Sequence, residues 1–523
     1  MQNYQAILLL LIGLSMASCT DLELLPQDRA DPNAVLSSED NYEAFLARIY
    51  SGLAVTGQQG PAGASDIQSL DEGFSQYLRP FWQLQELTTE SSVIAWGDAG
   101  LPELCFQTWT SDNQFVRAMY YRIFFQVSQA NEFLRETTED KLQARGIREG
   151  FWPTVDIYRA EVRFLRAFSY WHAIDMFGDV IFYTEENAVG GDNPPQQSRA
   201  EVFNFIASEL AAIENELPEP GGNVYGRVDR AAVWMLQAKL FQNADVYAGQ
   251  DRQSDAITAL EKIINSNNFL LEPEYAHLFG ADNHISRELI WTIPFDGLNT
   301  QTFGGLTYLT HAPVGGTMDP LAYGINGGWF GLRTTSGLVN QFEDPTGETD
   351  ERAIFYTDGQ TLEIDNISEF SQGYAVPKFT NITSEGETGS DPRFADTDYP
   401  VFRLADAYLM YAESVLRGGG GSREVALQLI NDLRERAFDS NAGNISDAEL
   451  TLDFILDERS RELYWEGHRR TDLIRFNQFS ENGVWPWKGG VAEGQTTDSF
   501  RNLFPFPATE ILANPNLRQN TGY

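Results

Sequence analysis

Residues 158–180 read YRAEVRFLRAFSYWHAIDMFGDV, and this stretch decides the fold that the sequence predicts. Apolar residues fall at Ile157, Phe164, Phe168 and Trp171, in steps of seven, four and three that place them on one helical face. Gly178 follows the pattern directly, where a glycine commonly ends a helix. The segment therefore predicts a long amphipathic helix that ends at Gly178.

Similar helical patterns follow one another along most of the chain. Ser198 and Glu201 form a capping box for one of them, and Gly418–Gly421 separates two others. Helix pairs at this spacing resemble tetratricopeptide repeats, although no strict consensus repeats. We therefore expect a mostly α fold, a tetratricopeptide-like scaffold of helix pairs with minor β. Helices are expected over 38–55, 112–138, 198–217, 229–247, 255–265, 404–416, 423–436 and 446–472, and a strand over 288–295.

Two loop-rich regions interrupt the helices and are the expected places for recognition. Residues 56–111 and 296–335 are rich in glycine and aromatic residues, and long loops on a rigid scaffold commonly carry function. We divide the chain into an N-terminal helical region, 38–280, and a C-terminal region, 281–523. By contrast, Trp171, Trp234 and Trp291 lie in helical or strand patterns and are predicted to be core. Cys105 is predicted to be a small buried apolar residue.

The N-terminus has the proportions of a signal peptide. Residues 6–14 read AILLLLIGL, too short to span a bilayer, and Ser15-Met16-Ala17-Ser18-Cys19 follows. This order is similar to a bacterial lipoprotein signal cut before the cysteine, and a buried apolar strand or helix is the alternative. We predict a signal peptide over 1–18 and a tether over 19–37 lipidated at Cys19, which anchors the protein to a membrane without crossing it.

The net charge narrows the classes of ligand. The chain has 75 acidic and 36 basic residues, a formal net charge of −39. Such a field repels nucleic acid and anionic polysaccharides and favours neutral or cationic ligands. An acidic surface that serves only solubility explains the same composition. We expect no nucleic-acid partner.

The sequence offers no short catalytic motif. The five histidines lack metal-binding spacing, and there is no phosphate-binding loop, nucleophile elbow or dinucleotide fingerprint. We therefore expect no enzyme activity, no cofactor and no metal at the site, and the sequence does not decide whether a structural calcium is bound elsewhere. A glycosidase needs only two carboxylates, so Asp71 with Glu72 and Glu86 with Glu90 are noted, each expected to be a helix cap or surface charge. The charged run 457–462 is expected to form pairs along one helix.

Four long motifs point to a known family. Besides residues 158–180 they are VFRLADAYLMYAES (401–414), ILDERSRELYWEGHRRTDLIRF (455–476) and LFPFPATEILANPNLRQNTGY (503–523). Together they resemble SusD-like (RagB/SusD) outer-membrane lipoproteins over the whole mature chain, and residues 55–79 and 304–309 are most similar to the starch-binding member. The resemblance implies a non-enzymatic protein at the outer-membrane cell surface. It also implies glycan binding and a partner, a SusC-like TonB-dependent transporter on which the protein sits as a lid.

The same resemblance implies a set of ligand-binding residues. Its three stacking aromatics correspond to Trp96, Phe303 and Trp329, with Ile94 as the alternative for the first position. Arg79 and Asp71 match its polar contacts, and Asp98 and Tyr308 complete the candidates. Flat rings suit the C–H faces of a neutral glycan. We expect an α-glucan such as starch, with a β-glucan such as laminarin or a RagB-like peptide ligand as alternatives.

Overall fold

The computed structural model describes residues 32–61, 63, 65–67 and 70–523. The predicted signal peptide, Cys19 and residues 20–31 of the tether lie outside the described residues. Up to residue 264 the helices are α1 (Pro32–Val35), α2 (Glu39–Ala54), α3 (Leu78–Glu86), α4 (Pro102–Phe106), α5 (Gln114–Glu136), α6 (Glu139–Ala144), α7 (Trp152–Phe177), α8 (Arg199–Ile213), α9 (Arg230–Gln242), α10 (Ala244–Ala248) and α11 (Gln253–Ile264).

The remaining helices are fewer and are separated by long loops. They are α12 (Gly305–His311), α13 (Ser336–Val339), α14 (Leu404–Leu416), α15 (Arg423–Phe438), α16 (Leu452–Leu463), α17 (Arg469–Arg475) and α18 (Ala508–Ala513). Helices packed in neighbouring pairs form the scaffold: α5 with α7, α7 with α8, α9 with α11, and α14 with α15. The predicted mostly α fold is confirmed. Within the described residues, no helix is both long and apolar enough to cross a bilayer.

Local signals set several helix ends as expected. Ser198 and Glu201 form the capping box of α8, in which the Ser198 hydroxyl accepts from the Glu201 amide and the Glu201 carboxylate accepts from the Ser198 amide. Gly178 follows α7 with φ of 75°, a conformation that favours glycine. The expected helix over 404–416 corresponds to α14.

Two expected helices are each broken in two. The pattern over 229–247 divides into α9 and α10 at Asn243, and the pattern over 446–472 divides into α16 and α17. Between α16 and α17, Trp465 and Gly467 have positive φ, and Trp465 is fully buried. The Trp465 carbonyl accepts from Trp82 Nε1 at 2.8 Å, and its own Nε1 donates to the Ser91 carbonyl at 3.0 Å. The helix is therefore interrupted at Trp465, where contacts with Trp82 and Ser91 hold the backbone in a non-helical conformation.

Within the described residues, three small antiparallel sheets connect separate segments. Val93–Ile94 (β1) pairs with Leu332–Arg333 (β5), and Val180–Ile181 (β2) with Gln196–Gln197 (β3). Leu289–Ile293 (β4) pairs with Tyr399–Arg403 (β6). The strand expected over 288–295 corresponds to β4, and four of its five residues are buried. One hydrophobic core includes residues from both sides of position 280, and the proposed division there stays a prediction.

The expected core residues are mostly where the sequence placed them. Cys105, Trp171 and Trp291 are buried. Trp234 is only half-buried, because its ring packs on the core while its Nε1 donates to the Glu214 carboxylate at 2.9 Å.

The charged run 457–462 was expected to form pairs along its own helix, and this is wrong for most of it. Only Asp457 is exposed, whereas Glu458, Arg459, Arg461 and Glu462 are buried. Glu462 pairs with Arg403 at 2.7 Å and with Arg436 at 2.5 Å, both from other segments. Glu458 pairs with Arg352 at 2.7 Å, and Arg459 with Asp472 at 2.8 Å. These ion pairs join Arg352 and strand β6 to the C-terminal helices, and join those helices to one another.

Candidate functional site

Pairing of β1 with β5 places Trp96 beside Trp329. The Ala95 amide donates to the Gly331 carbonyl at 2.9 Å, which continues the β1–β5 pairing by one residue. Trp96 Nε1 donates to the Trp329 carbonyl at 3.0 Å, and the two ring centroids are 6.3 Å apart at an interplanar angle of 42°. A Cβ on Gly331 would lie 2.6 Å from the Trp96 ring, so a glycine is required there. The backbone thus fixes two half-buried indoles side by side.

The Trp329 ring is supported from behind by His311, the last residue of α12. Their ring centroids are 4.9 Å apart at 33°, and the Trp329 amide donates to the His311 carbonyl at 2.9 Å. His311 Nδ1 lies 2.9 Å from the Thr307 carbonyl. Burial lowers the pKa of His311, which favours a neutral ring. His311 therefore holds one side of the Trp329 indole, which stays partly accessible to solvent.

Phe303 completes an arc of three half-buried rings. Its centroid lies 6.4 Å from that of Trp329 at 58°, and Phe394 packs against it at 5.6 Å. Neighbouring rings are inclined by 42° and 58°, so the three ring planes do not form one flat wall. We call Trp96, Trp329 and Phe303 the aromatic arc.

Arg79, on α3, lies at the edge of the aromatic arc. Its guanidinium is 4.3 Å from the Tyr308 ring centroid and 5.7 Å from that of Trp96, within cation–π range. Nη1 donates to the Phe303 carbonyl at 3.1 Å, whereas the buried Nε has no hydrogen-bond partner. Burial lowers the pKa of Arg79, and Tyr308, Asp71 and Asp98 act in the opposite direction. Arg79 thus offers donors beside the aromatic rings.

The two aspartates predicted for the site are exposed on loops near Arg79. Asp71 Oδ1 accepts from the Gly73 amide at 2.8 Å and from the Phe74 amide at 3.3 Å, which shapes the turn beneath Phe303. A Cβ on Gly73 would lie 3.4 Å from Phe303 Cβ, which shows how close this turn is to the arc. Asp98 follows Trp96 by two residues. Both carboxylates retain accessible oxygens for a hydroxyl-bearing ligand.

Two other candidates are not at the surface. Tyr308 is fully buried, accepts from Gln83 Nε2 at 3.3 Å and packs against Trp96 at 6.0 Å. It can position Trp96 and Arg79, but its buried ring is not accessible for stacking. Ile94 is buried in β1, whereas Trp96 is half-buried, so of the two only Trp96 is partly accessible to solvent.

Sequence reasoning missed the residues that support the arc. His311 lies three residues after Tyr308, on the same face of α12, and this spacing is the signal that could have found it. Phe394 offers no local signal, because its contact with Phe303 joins segments 91 positions apart. The aromatic arc lies outside the larger cavities found in the described part of the chain, which are lined by other residues.

The carboxylate pair Glu86 and Glu90 is internal and not a surface charge or helix cap as expected. Glu86 is fully buried, and burial raises its pKa to about 7. Hydrogen bonds from the Ser91 side chain and the Gly467 amide act in the opposite direction and lower this pKa. Glu90 is buried too and pairs with Arg469 at 2.5 Å. Neither faces the aromatic arc. Across the described residues, no three histidine, cysteine or carboxylate side chains gather as metal ligands would.

Accessible aromatic rings on the loops of a helical scaffold are typical of a ligand-binding protein. Comparison with known proteins identifies the family to which this chain belongs. The SusD family model matches residues 340–523. The chain is 33% identical over 573 aligned residues to the starch-binding protein SusD of Bacteroides thetaiotaomicron, covering 100% of this chain and 98% of the relative. It is 23% identical to SusD-like protein P2 of Formosa agariphila, covering 100% of both. The chain belongs to the SusD family.

Solved structures share the fold. Surface glycan-binding protein A from Bacteroides uniformis superposes with a TM-score of 0.70 at 20% identity, covering 92% of this chain and 99% of that one. The protein of the same name from Bacteroides thetaiotaomicron, in complex with laminarihexaose, gives a TM-score of 0.69 at 20% identity, with the same coverage. At this identity the likeness establishes the architecture of the scaffold.

Proposed function

We propose that this protein captures a neutral glucan, most favourably an α-glucan, on the aromatic arc at the cell surface. The observation that carries the proposal is the arc itself, three inclined rings with donors and acceptors at their edge. Sugar rings present C–H faces that stack on aromatic rings and hydroxyls that bond to polar groups. A curved arc suits a helical α-glucan chain better than a flat wall does.

The relatives support the choice of ligand. The SusD relative that shares 33% identity over the full chain is a starch-binding protein. Trp96, Trp329 and Phe303 are the rings accessible for stacking, with Arg79, Asp71 and Asp98 as hydrogen-bonding groups and Tyr308 as a positioning residue. The net charge of −39 favours a neutral ligand over an anionic one.

Two other ligands remain candidates on specific observations. A β-1,3-glucan also presents a curved neutral surface, and a fold neighbour was solved with laminarihexaose. A peptide ligand, as in a RagB-like importer, requires a sheet edge or a cleft lined with backbone donors. The strands beside the arc are only two residues long and paired with each other, which favours a glycan.

The proposal includes location and partner. We expect a lipid anchor at Cys19, an outer-membrane cell-surface location, and delivery of the glycan to a SusC-like TonB-dependent transporter. We also expect binding without turnover. The other candidate pair, the exposed Asp71 and the half-buried Glu72, lies beside the arc, but Asp71 is engaged with the Gly73 and Phe74 amides.

Calorimetry with maltoheptaose and laminariheptaose tests the ligand. Binding of maltoheptaose is expected, whereas tight binding of laminariheptaose alone rejects the α-glucan assignment, and binding of neither rejects the glucan assignment. Incubation with starch and laminarin, followed by an assay for new reducing ends, tests turnover. Product that disappears in an Asp71→Asn variant contradicts a purely binding role.

A further inference from the structure

An exposed aromatic ring, that of Tyr225, lies between two adjoining cavities away from the aromatic arc. The cavities have volumes of about 290 and 370 Å³, and Tyr225 and Pro294 line both of them. Tyr225 is 49% exposed. We call the larger of the two, which Leu298 and Asp396 also line, the Tyr225 cleft.

The Tyr225 ring is held in place despite its exposure. Its hydroxyl donates to Asp398 Oδ2 at 2.5 Å and accepts from Thr292 Oγ1 at 3.0 Å. The next residue, Gly226, accepts from Trp291 Nε1 at 3.1 Å and has a φ of +79°. A Cβ at Gly226 would lie 2.4 Å from Pro294 Cγ, so the loop is packed tightly on β4. A fixed ring loses little conformational entropy when a ligand stacks on it.

The lining of the cleft combines apolar surface with hydrogen-bond acceptors. Leu298 is 61% exposed at its edge. The half-buried Asp396 accepts from the Gly297 amide at 2.7 Å and from the Ser390 hydroxyl at 2.7 Å, so its carboxylate is oriented. Carboxylates accept hydrogen bonds from sugar hydroxyls, and they repel anions. This chemistry suits a neutral sugar, as does that of the aromatic arc.

The Tyr225 cleft is close to the Phe303 end of the aromatic arc. Leu298 and Phe303 are five residues apart, so their Cα atoms are separated by at most about 18 Å. A second connection runs through Phe394, which packs on Phe303, and through Asp396 two residues further on. One glycan chain that leaves the arc at Phe303 can therefore continue toward Tyr225.

We propose that the glycan site extends beyond Phe303 into the Tyr225 cleft, where Tyr225 stacks on a distal sugar unit of a long chain. This inference rests on the proposed function and adds a preference for chain length. Because the second contact is intramolecular once the arc is occupied, it strengthens binding of long chains and leaves short ones unaffected.

The test compares the affinities of maltotriose, maltoheptaose and a longer linear malto-oligosaccharide fraction by calorimetry. Wild-type affinity is expected to rise with chain length. Tyr225→Ala should weaken binding of the longest ligand about tenfold, the typical loss for one stacking ring, and leave maltotriose within about twofold. Leu298→Asp should act in the same direction if Tyr225→Ala fails to fold. Leu512→Ala changes an exposed leucine outside the cleft and is the matched control.

Each alternative outcome decides a different question. Unchanged binding of every ligand in both cleft variants rejects the extension alone, and so does an equal loss at all lengths. If wild type binds no malto-oligosaccharide or laminari-oligosaccharide, the proposed function fails and the extension fails with it. If Tyr225→Ala leaves binding intact but lowers glucan uptake by cells, the cleft contacts another protein, which overturns the glycan assignment.

Discussion

The indole Nε1 of Trp96 donates a 3.0 Å hydrogen bond to the main-chain carbonyl of Trp329, a residue 233 positions later in the chain. The bond fixes the inclination between the first two rings of the aromatic arc. It also uses the polar edge of the Trp96 indole, so that this ring offers a ligand chiefly its apolar face. The candidate ligand site is therefore a product of the contact between the two loop-rich regions.

Removal of the central ring should weaken glucan binding. Trp329→Ala is expected to lower affinity about ten- to hundredfold, since one stacking contact contributes roughly 1–3 kcal/mol. Retention on an amylopectin affinity gel and calorimetry with maltoheptaose measure the effect. Trp234→Ala removes another half-buried indole outside the arc and is the matched control. An equal loss in both variants contradicts a specific role for Trp329.

His311 is expected to act as a positioning residue. His311→Ala removes the ring packed behind Trp329, and an aromatic pair contributes about 0.5–1.5 kcal/mol, which corresponds to roughly a two- to tenfold loss of affinity. His311→Phe should restore most of the affinity because it keeps the aromatic support. The urea midpoint, measured alongside, separates positioning from a loss of stability. Failure of His311→Phe to rescue binding argues against this role.

Glu86 should make stability depend on pH. Its pKa rises from 4.5 to about 7 on folding because the carboxyl is buried. The folded protein then holds a proton that the unfolded chain has lost, so the free energy of unfolding falls as pH rises from about 4.5 to about 7. The contribution is about 3 kcal/mol. Urea unfolding at pH 5 and pH 8 should show a smaller difference for Glu86→Gln than for wild type.

Glu493→Gln, which changes an exposed carboxylate, is the matched control for that comparison. A pH dependence that is the same in Glu86→Gln and wild type rejects the assignment of the effect to Glu86.

Substitutions within the charged run 457–462 should have unequal effects on stability, because some of its residues form buried ion pairs and Asp457 does not. Glu462→Ala removes one carboxylate from Arg403 and Arg436, which keep Glu466 and Glu288 as partners, and the loss of such buried bonds costs about 1–3 kcal/mol. Asp457→Ala, five positions earlier and exposed, should change stability by less than about 0.5 kcal/mol. Urea unfolding of both variants measures the difference. Similar small effects would show that the pairs add little to stability.

The lipid anchor can be tested at Cys19. Cys19→Ala should leave the precursor unprocessed or release the protein from the membrane fraction, because the lipid is attached to this sulfur in lipoproteins with such a signal. Fractionation and mass spectrometry of the N-terminus measure the result. A variant that remains in the membrane at its processed mass contradicts the prediction.

The sequence by itself determined the scaffold. Helical periodicity and caps are local properties, so the capping box of Ser198 and the helix over 404–416 were predicted from neighbours along the chain. The motifs also indicated the family, and with it Trp96, Phe303 and Trp329. Where a helix was broken by distant contacts, as at Trp465, the same local reasoning predicted one continuous helix and was wrong.

Only the tertiary structure decided which candidate site residues face solvent and which other residues pack behind them. Tyr308 and Glu462 look like surface residues in sequence, yet the first is buried behind Trp96 and the second among arginines from other segments. His311 and Phe394 became part of the site through contacts with rings from other segments. The physical reason is that burial of a charge or ring depends on partners far away in sequence, which a local pattern does not contain.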